Sequence, residues 1–374
     1  MKILTISNYY PEHAGGIEFV ALNLVRQWRE RHTVRWMACD VGARPHVSAA
    51  DDIPLPAINF TEERLGFPYP FPFPSAFSQI FKQVRWCDLV HIHDCLYSSN
   101  VFAFLAARWH KKPLVVTQHV GPVPYTRYYK NLLQQIAYGT VGKLVLRNAS
   151  RVVFINQRVK DWFETQNHFQ RSGRLVPNGV DHKLFHPAGG DERRQFRAKL
   201  GFPDGQVVVL FVGRFTEKKG LHLLQQVAET HPDLLFQLVG IGESHPEDWA
   251  LPNIRVLPPQ SQMLLREFYV AADVFFLPSV GEGFPLAVQE ALSCGLPAAV
   301  SEEISAFLPG APLIPLEVSD ISAVTLTLAG LLTNPDHLSN LAKESVEYAR
   351  RWDWGAVAAD YEHIFEQILS EDSR

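Results

Sequence analysis

The chain has 374 residues, 47% of them apolar and 20% charged, with a formal net charge of −4 at pH 7. That length favours two domains of ordinary size, and that balance excludes a disordered or fibrous chain. Near-neutral charge argues against wholesale nucleic-acid binding, so no nucleic-acid partner is expected, although a local basic patch remains compatible with it. The four cysteines, Cys39, Cys87, Cys95 and Cys294, show no CxxC spacing and read as reduced, buried thiols of a cytoplasmic protein. MKILTIS lacks a cleavage-site pattern and reads as a buried first strand. No run approaches the ~20 apolar residues that cross a bilayer, so any membrane contact is expected to be peripheral.

In chain order, the strand KILTIS is followed by a Gly-Gly loop and then by IEFVALNLVRQWRER, whose Ile17, Val20, Ala21, Leu24, Val25 and Trp28 recur at helical spacing. HTVRWMAC, DLVHIH, PLVVTQH and RVVFIN follow as strands, with helices predicted near 96–110, 128–149 and 157–166. Between them GFPYPFPFPSAF (66–77) alternates proline with aromatics, which suits neither a central strand nor a helix. It is expected to be a semi-rigid loop packed on its domain, with an apolar surface for a lipid or partner as the alternative. RLVPNGVDHKLFHPAGGDE is rich in turn formers and reads as a connection.

The same grammar then restarts. VVVLFVG, LLFQLVG, IRVLP, VFFLPS and PAAVS are predicted strands, with helices near 220–230, 262–272 and 285–294 and a last amphipathic helix after Trp354. Apolar strands alternating with helices indicate parallel sheets covered on both faces. The expected fold class is α/β, with two doubly wound Rossmann-like domains at 1–170 and 171–352. Residues 353–374 form a closing helix expected to pack back on the first domain. Such sheets bind ligands at the carboxyl ends of their strands.

Two loops at strand ends carry the chemistry. In GEGFPLAVQEALSCG, Glu282 follows the strand VFFLPS, and Pro285 suits the first helical position, where its missing N–H costs nothing. The backbone N–H groups near Phe284, Leu286 and Ala287 then suit phosphate or sugar oxygens. Glu290 lies one turn beyond Leu286, and a carboxylate accepting at both oxygens suits vicinal hydroxyls. In GRFTEKKG (213–220), Arg214 ends a strand and Lys219 stands beside Gly220; a planar fork and a mobile point charge together can neutralise a diphosphate. Lys218 reads as a solvated cation of the same turn.

The ordered set PEHAGGIE, DLVHIHD, VVTQH, VPNGVD, GR…KG and PS…EGFPL…EA…CG.P, with its E-x7-E spacing, resembles the retaining glycosyltransferases of the GT-B fold, family four, over nearly the whole chain. The resemblance implies transfer of a sugar from a nucleotide-diphosphate donor by front-face attack, the leaving phosphate accepting the acceptor's proton. It implies that Arg214 and Lys219 hold the diphosphate and stabilise the leaving group, and that Glu290 binds the ribose. Glu282 would face the donor sugar, Gly283, Phe284, Pro285 and Leu286 would touch sugar or phosphate, and His119 would lie near the reaction centre. Gly15 and Gly16 would let the first loop approach the phosphates closely. Catalytic roles are thus expected for His119, Arg214, Lys219 and Glu282, with no cofactor and no metal. HIHD (91–94) has metal-ligand residue types, but no DxD motif accompanies it, and a structural or acceptor-side role is the favoured reading.

Residues 95–160 contain ten Lys or Arg and no Asp or Glu, and Leu132, Leu133, Ile136, Leu144 and Val145 recur there at helical spacing. A basic amphipathic surface favours anionic lipid headgroups, so a glycan or lipid-linked acceptor and peripheral contact with an anionic membrane are expected. The expected function is hexosyl transfer in cell-surface polysaccharide or glycolipid biosynthesis, in the cytoplasm or on the inner face of the membrane. A nucleotide-sugar epimerase of the same fold and a non-catalytic sugar-nucleotide binding protein are the alternatives. PAAVSEEISAF places two acids, Glu302 and Glu303, where the family more often has a Gly-rich turn, and the nucleotide base would rest against 256–262.

Overall fold

Seven of the eight residues of β1 (Lys2–Tyr9) are buried, as a strand covered on both faces requires. The computed structural model describes residues 1–13, 15–41, 50–60, 69–122, 128–167, 169, 171–280, 282 and 284–372. The chain divides into two compact units, Met1–Asn178 with Trp354–Arg374, and Gly179–Asp353.

In the first unit β1 is joined by β2 (Thr33–Asp40), β3 (Asp52–Ile58), β4 (Phe71–Pro72), β5 (Leu89–His93), β6 (Leu114–Gln118), β7 (Arg151–Phe154) and β8 (Arg174–Leu175). Their order is β4-β3-β2-β1-β5-β6-β7-β8. Pairing is parallel throughout, apart from the antiparallel β3–β4 pair at one edge. The short strand β8 carries this unit past residue 170, the boundary set from composition, because Arg174 and Leu175 pair with β7. The helix Trp354–Asp372 belongs to this unit as well. Trp28 of the helix Gly16–Arg29 donates its indole N–H to Ala358 O at 3.2 Å and lies edge-on to Tyr361 and Phe365.

The second unit contains β9 (Val208–Val212), β10 (Leu235–Val239), β11 (Ile254–Leu257), β12 (Val274–Leu277), β13 (Ala298–Ser301) and β14 (Leu313–Leu316). Their order is β11-β10-β9-β12-β13-β14, all parallel. In both sheets the chain builds outward on one side and then crosses back to build on the other. The switch points fall between β1 and β5 and between β9 and β12, where doubly wound sheets bind ligands at the strands' carboxyl ends.

The proline-aromatic stretch departs from the expected loop. Phe71–Pro72 is an edge strand, where a missing N–H is tolerated, and Pro74 opens the helix Pro74–Trp86 in its first turn for the same reason. Residues 66–68 of that stretch lie outside the described residues. Three further helices were not among those expected from the sequence. Gly190–Lys199 buries no residue, Ile321–Leu332 is apolar on most sides, and Pro335–Ala349 buries only Leu341, Ser345 and Ala349. Among the described residues no helix is long and apolar enough to cross a membrane.

Candidate functional site

At the switch point of the second unit, the loop after β9 and the loop after β12 are held together by backbone. Val280 N–H donates to Lys218 O at 2.8 Å. Gly220 adopts φ 71°, and a Cβ there would come within 2.3 Å of Pro278 O, so only glycine lets the two loops close to this distance. Ser301 Oγ donates to Ser279 O at 2.6 Å and, as N-cap, accepts from Ile304 N–H, which fixes the strand end beside them.

This packing brings Lys219 and Glu282 together: Lys219 Nζ stands 2.9 Å from Glu282 Oε1, with both side chains largely buried. Burial pushes the Glu282 carboxyl up, but the charges of Lys219 and Lys218 and hydrogen bonds from Lys219 and Ser279 outweigh it and hold the group below its ordinary value. Lys218 is not the solvated cation the sequence suggested. It is half-buried within the field of Glu282, which raises its pKa, while burial and the neighbouring charges of Lys219 and Arg214 bring the net shift below the ordinary lysine value. Lys218 and Lys219 therefore flank one carboxylate, and the charge of Arg214 is near enough to act on Lys218.

The helix Leu286–Ser293 begins beside this cluster. Pro285 is its N-cap in extended conformation (φ −69°, ψ 115°) and not, as expected, its first helical residue, which is Leu286. Its carbonyl accepts from Val288 N–H at 3.1 Å, and no side chain caps the helix, so the N–H groups of Leu286 and Ala287 head its first turn. Phe284 is buried edge-on against Trp352, with ring centroids 5.7 Å apart. Gly283 lies outside the described residues. Glu302 and Glu303 occupy the first turn of a helix capped by Ser301, a placement favoured by the helix dipole.

Glu290 accepts a hydrogen bond from the Tyr269 hydroxyl at 2.8 Å. Enclosure by protein raises its pKa to about 7, against the lowering effect of the tyrosine. Tyr269 is buried edge-on to Phe185, at 5.9 Å, which sets the direction of its hydroxyl. Tyr269 and Lys218 are the residues of this half that the sequence did not reveal. Nothing in REFYVAADV distinguishes a core tyrosine from one whose hydroxyl serves a carboxylate.

In the first unit, Gly15 is the N-cap of the helix Gly16–Arg29, and a Cβ on it would strike the Glu18 carboxylate, 2.0 Å away. A Cβ on Gly16 would meet nothing within 4 Å. His119, after β6, is buried and receives its place from two partners: its backbone N–H donates to Asp94 Oδ1 at 2.9 Å, and its Nε2 lies 2.8 Å from His93 Nδ1. Asp94 holds φ 65°, a left-handed conformation unusual for aspartate, and Asn100 Nδ2 anchors its carbonyl at 2.8 Å. Burial raises the Asp94 carboxyl to about 7 against hydrogen bonds from the His119 and Val120 backbone.

A second chain runs behind it. Tyr361 of the closing helix meets Thr117 Oγ1 at 3.0 Å, and Thr117 meets His91 Nε2 at 2.8 Å. Burial, together with the charge of His119, lowers His91 to about 3, and burial alone lowers His119 to about 3, so both rings are neutral across the physiological range. HIHD thus holds strand ends in register. Among the described residues no three His, Cys, Asp or Glu side chains are disposed to hold a metal ion.

Two family profiles cover more than half of the chain between them. Residues 14–184 match Glycosyltransferase Family 4, and residues 192–308 match Glycosyl transferases group 1. The chain belongs to the group 1 glycosyltransferases. Its fold is GT-B. A sucrose-phosphate synthase from Thermosynechococcus elongatus superposes with a TM-score of 0.79 at 20% identity, covering 99% of this chain and 100% of that one. Anabaena HepE, solved in complex with UDP-glucose, gives 0.78 at 17% identity, covering 98% and 100%. Among curated relatives, the GDP-mannose:cellobiosyl-diphosphopolyprenol alpha-mannosyltransferase of Komagataeibacter xylinus is 25% identical over 99% of this glycosyltransferase and 94% of its own length. The N,N'-diacetylbacillosaminyl-diphospho-undecaprenol alpha-1,3-N-acetylgalactosaminyltransferase of Campylobacter jejuni is 26% identical over 80% and 83%.

Proposed function

We propose that this glycosyltransferase moves a hexose-type sugar from a nucleoside-diphosphate donor to a glycan carried on a membrane lipid, with retention at the anomeric carbon and without a metal ion. The observation that carries the proposal is the cluster at the second unit's switch point. Lys218 and Lys219 beside the Glu282 carboxylate, with Arg214 next to Lys218, leave two positive charges, matching the two negative charges of a sugar-nucleotide diphosphate. The Lys219–Glu282 ion pair and the Val280–Lys218 backbone hydrogen bond orient the two lysines, which lets them stabilise charge on the departing phosphate with little reorganisation.

In this reading the acceptor hydroxyl oxygen bonds to the anomeric carbon on the face the nucleotide leaves. The bond from that carbon to the β-phosphate oxygen breaks, its electron pair goes to the phosphate, and the phosphate takes the hydroxyl proton. Arg214 and Lys219 hold the diphosphate, and Lys218 adds charge from behind. The first-turn N–H groups at Leu286, next to Phe284 and Pro285, meet sugar or phosphate oxygens. Glu282 accepts from donor-sugar hydroxyls, and Glu290 with Tyr269 receives the ribose.

The names of the relatives from Komagataeibacter xylinus and Campylobacter jejuni specify diphospho-linked polyprenol acceptors, which supports a lipid-linked glycan here and a role in cell-surface polysaccharide assembly. Buried, unpaired cysteines suit the reducing side of that membrane. A thermal-shift screen against UDP-, GDP- and ADP-sugars in EDTA, then in magnesium, tests the donor side. A metal-free rise with one nucleotide is expected; a response to magnesium complexes alone, or to none of the sugars, contradicts the proposal.

A further inference from the structure

Helical turns run from Tyr128–Ala137 through the π-helical Tyr138–Gly142 to Lys143–Asn148. Val145 and Leu146 join the core of the first unit, and Tyr138 packs against that core edge-on to Trp162 and Phe163. On another side Leu132, Leu133, Ile136 and Leu144 are all exposed, Leu133 at 64%. Half of the large apolar side chains exposed among the described residues fall between Leu105 and Leu144. Scattered apolar residues on a surface need no explanation, whereas a concentration on one helix does.

The patch extends to a neighbouring helix. Arg108 Nη1 reaches Asn148 Oδ1 at 3.4 Å, which joins the end of these turns to the end of the helix Ser98–Trp109. There Leu105 is exposed, and Trp109 stands 76% exposed. Arg108, the exposed Lys111 and the half-buried Lys112 fall at or just after that helix end, Lys143 and Arg147 lie on the other helix, and no Asp or Glu occurs anywhere from 95 to 160.

We infer that this face docks the protein on an anionic lipid bilayer. An amphipathic helix with apolar side chains on one side and cations at its borders lies in the plane of the headgroups, with the apolar side chains below them. A tryptophan as exposed as Trp109 suits the same interfacial depth. Anionic headgroups neutralise the bordering cations. A second copy docking two-fold on the same patch would instead set those cations against themselves. The inference rests on the reading of the acceptor as lipid-linked: docking brings the acceptor side of the enzyme to the surface that presents such a lipid.

Co-sedimentation of the full chain with sucrose-loaded vesicles tests it. Vesicles containing phosphatidylglycerol should bind at least about tenfold more tightly than phosphatidylcholine alone, and salt should weaken the binding. Leu133→Gln with Ile136→Gln should reduce binding about tenfold or more while the melting temperature stays unchanged. Lys111→Glu with Lys112→Glu should remove the preference for anionic vesicles. Absence of binding to anionic vesicles at low salt would overturn the inference, as would a Leu133/Ile136 variant that binds like wild type. A dimer that this variant dissolves would make the face a self-association surface and overturn it too. Nucleotide-sugar binding by the same preparations reports on the transferase reading separately, because its site lies in the other unit.

Discussion

The proposed placement of the ribose on Glu290 predicts that nucleotide binding depends on pH, with a direction that follows from the raised pKa of this carboxyl. Its carboxyl is held at about 7 because protein encloses it, while the Tyr269 hydroxyl is the hydrogen bond opposing that rise. Two ribose hydroxyls donating to this group need the ionised form. With a pKa of about 7, about one molecule in eleven is ionised at pH 6 and about ten in eleven at pH 8. Affinity for a nucleotide sugar should therefore rise about tenfold between those values, equivalent to about 1.4 kcal/mol. The donor is a diphosphate diester with no group of its own titrating there, so the change belongs to the protein. Calorimetry in buffers of different ionisation enthalpy should find a proton released on binding near neutrality. Glu290→Gln should abolish that release, flatten the pH profile and weaken binding at pH 8 by about 1.5–3 kcal/mol, the worth of a hydrogen bond to a charged group. Tyr269→Phe should move the midpoint upward, because it removes the hydrogen bond that lowers the Glu290 pKa. A wild-type affinity that stays flat from pH 6 to 8, or a Glu290→Gln variant that binds like wild type, would refute the assignment of Glu290 to the ribose.

Asp94 and Glu290 also bear on stability of the ligand-free protein. Both carboxyls sit above their unfolded values, so between those values and about pH 7 the folded state holds more protons, and stability falls as pH rises through that window. Asp94→Asn should flatten its share of that slope in urea titrations from pH 5 to 8, with at most about 4 kcal/mol at stake. Lys219→Met leaves Glu282 buried without its nearest cation and should cost about 3 kcal/mol in chemical denaturation, in addition to turnover; Lys219→Met with Glu282→Gln should recover most of the stability and none of the turnover. Gly220→Ala meets both a left-handed φ and Pro278 O and should cost at least about 2 kcal/mol, whereas Gly16→Ala, in open space, should leave the melting temperature nearly unchanged.

The buried strands and the glycine-punctuated loops after them were legible because each carries its own local signal. VVVLFVG followed by GRFTEKKG announces a strand and the turn that ends it, and the structure joins Lys219 of that turn to Glu282. Pro285 shows the limit of such signals: proline suits both the N-cap and the next position, and only the observed ψ of 115° decides between them. Tyr269 and Lys218 were illegible for a different reason. Their significance arises from neighbours distant in sequence, Glu290 and Phe185 for the first and Glu282 for the second. The helix Pro74–Trp86 was hidden by the prolines before it, since the missing N–H that breaks a helix inside is harmless at its start. The charge-free-of-acid stretch 95–160 was plain in the sequence, but which of its apolar residues face outward was not: Val145 turns into the core, and its neighbour Leu144 turns out.

The proposed reaction is retaining transfer from a nucleotide sugar to a lipid-linked glycan. It is tested most directly by incubating the protein in EDTA with a labelled nucleotide sugar and polyprenyl-diphosphate-linked acceptor, then determining the anomeric configuration of butanol-extractable product by NMR. Acceptor-dependent label in the lipid phase is expected, with the configuration of the donor retained and loss of activity in Arg214→Ala. An inverted product, or donor consumed at the same rate without acceptor, would contradict it.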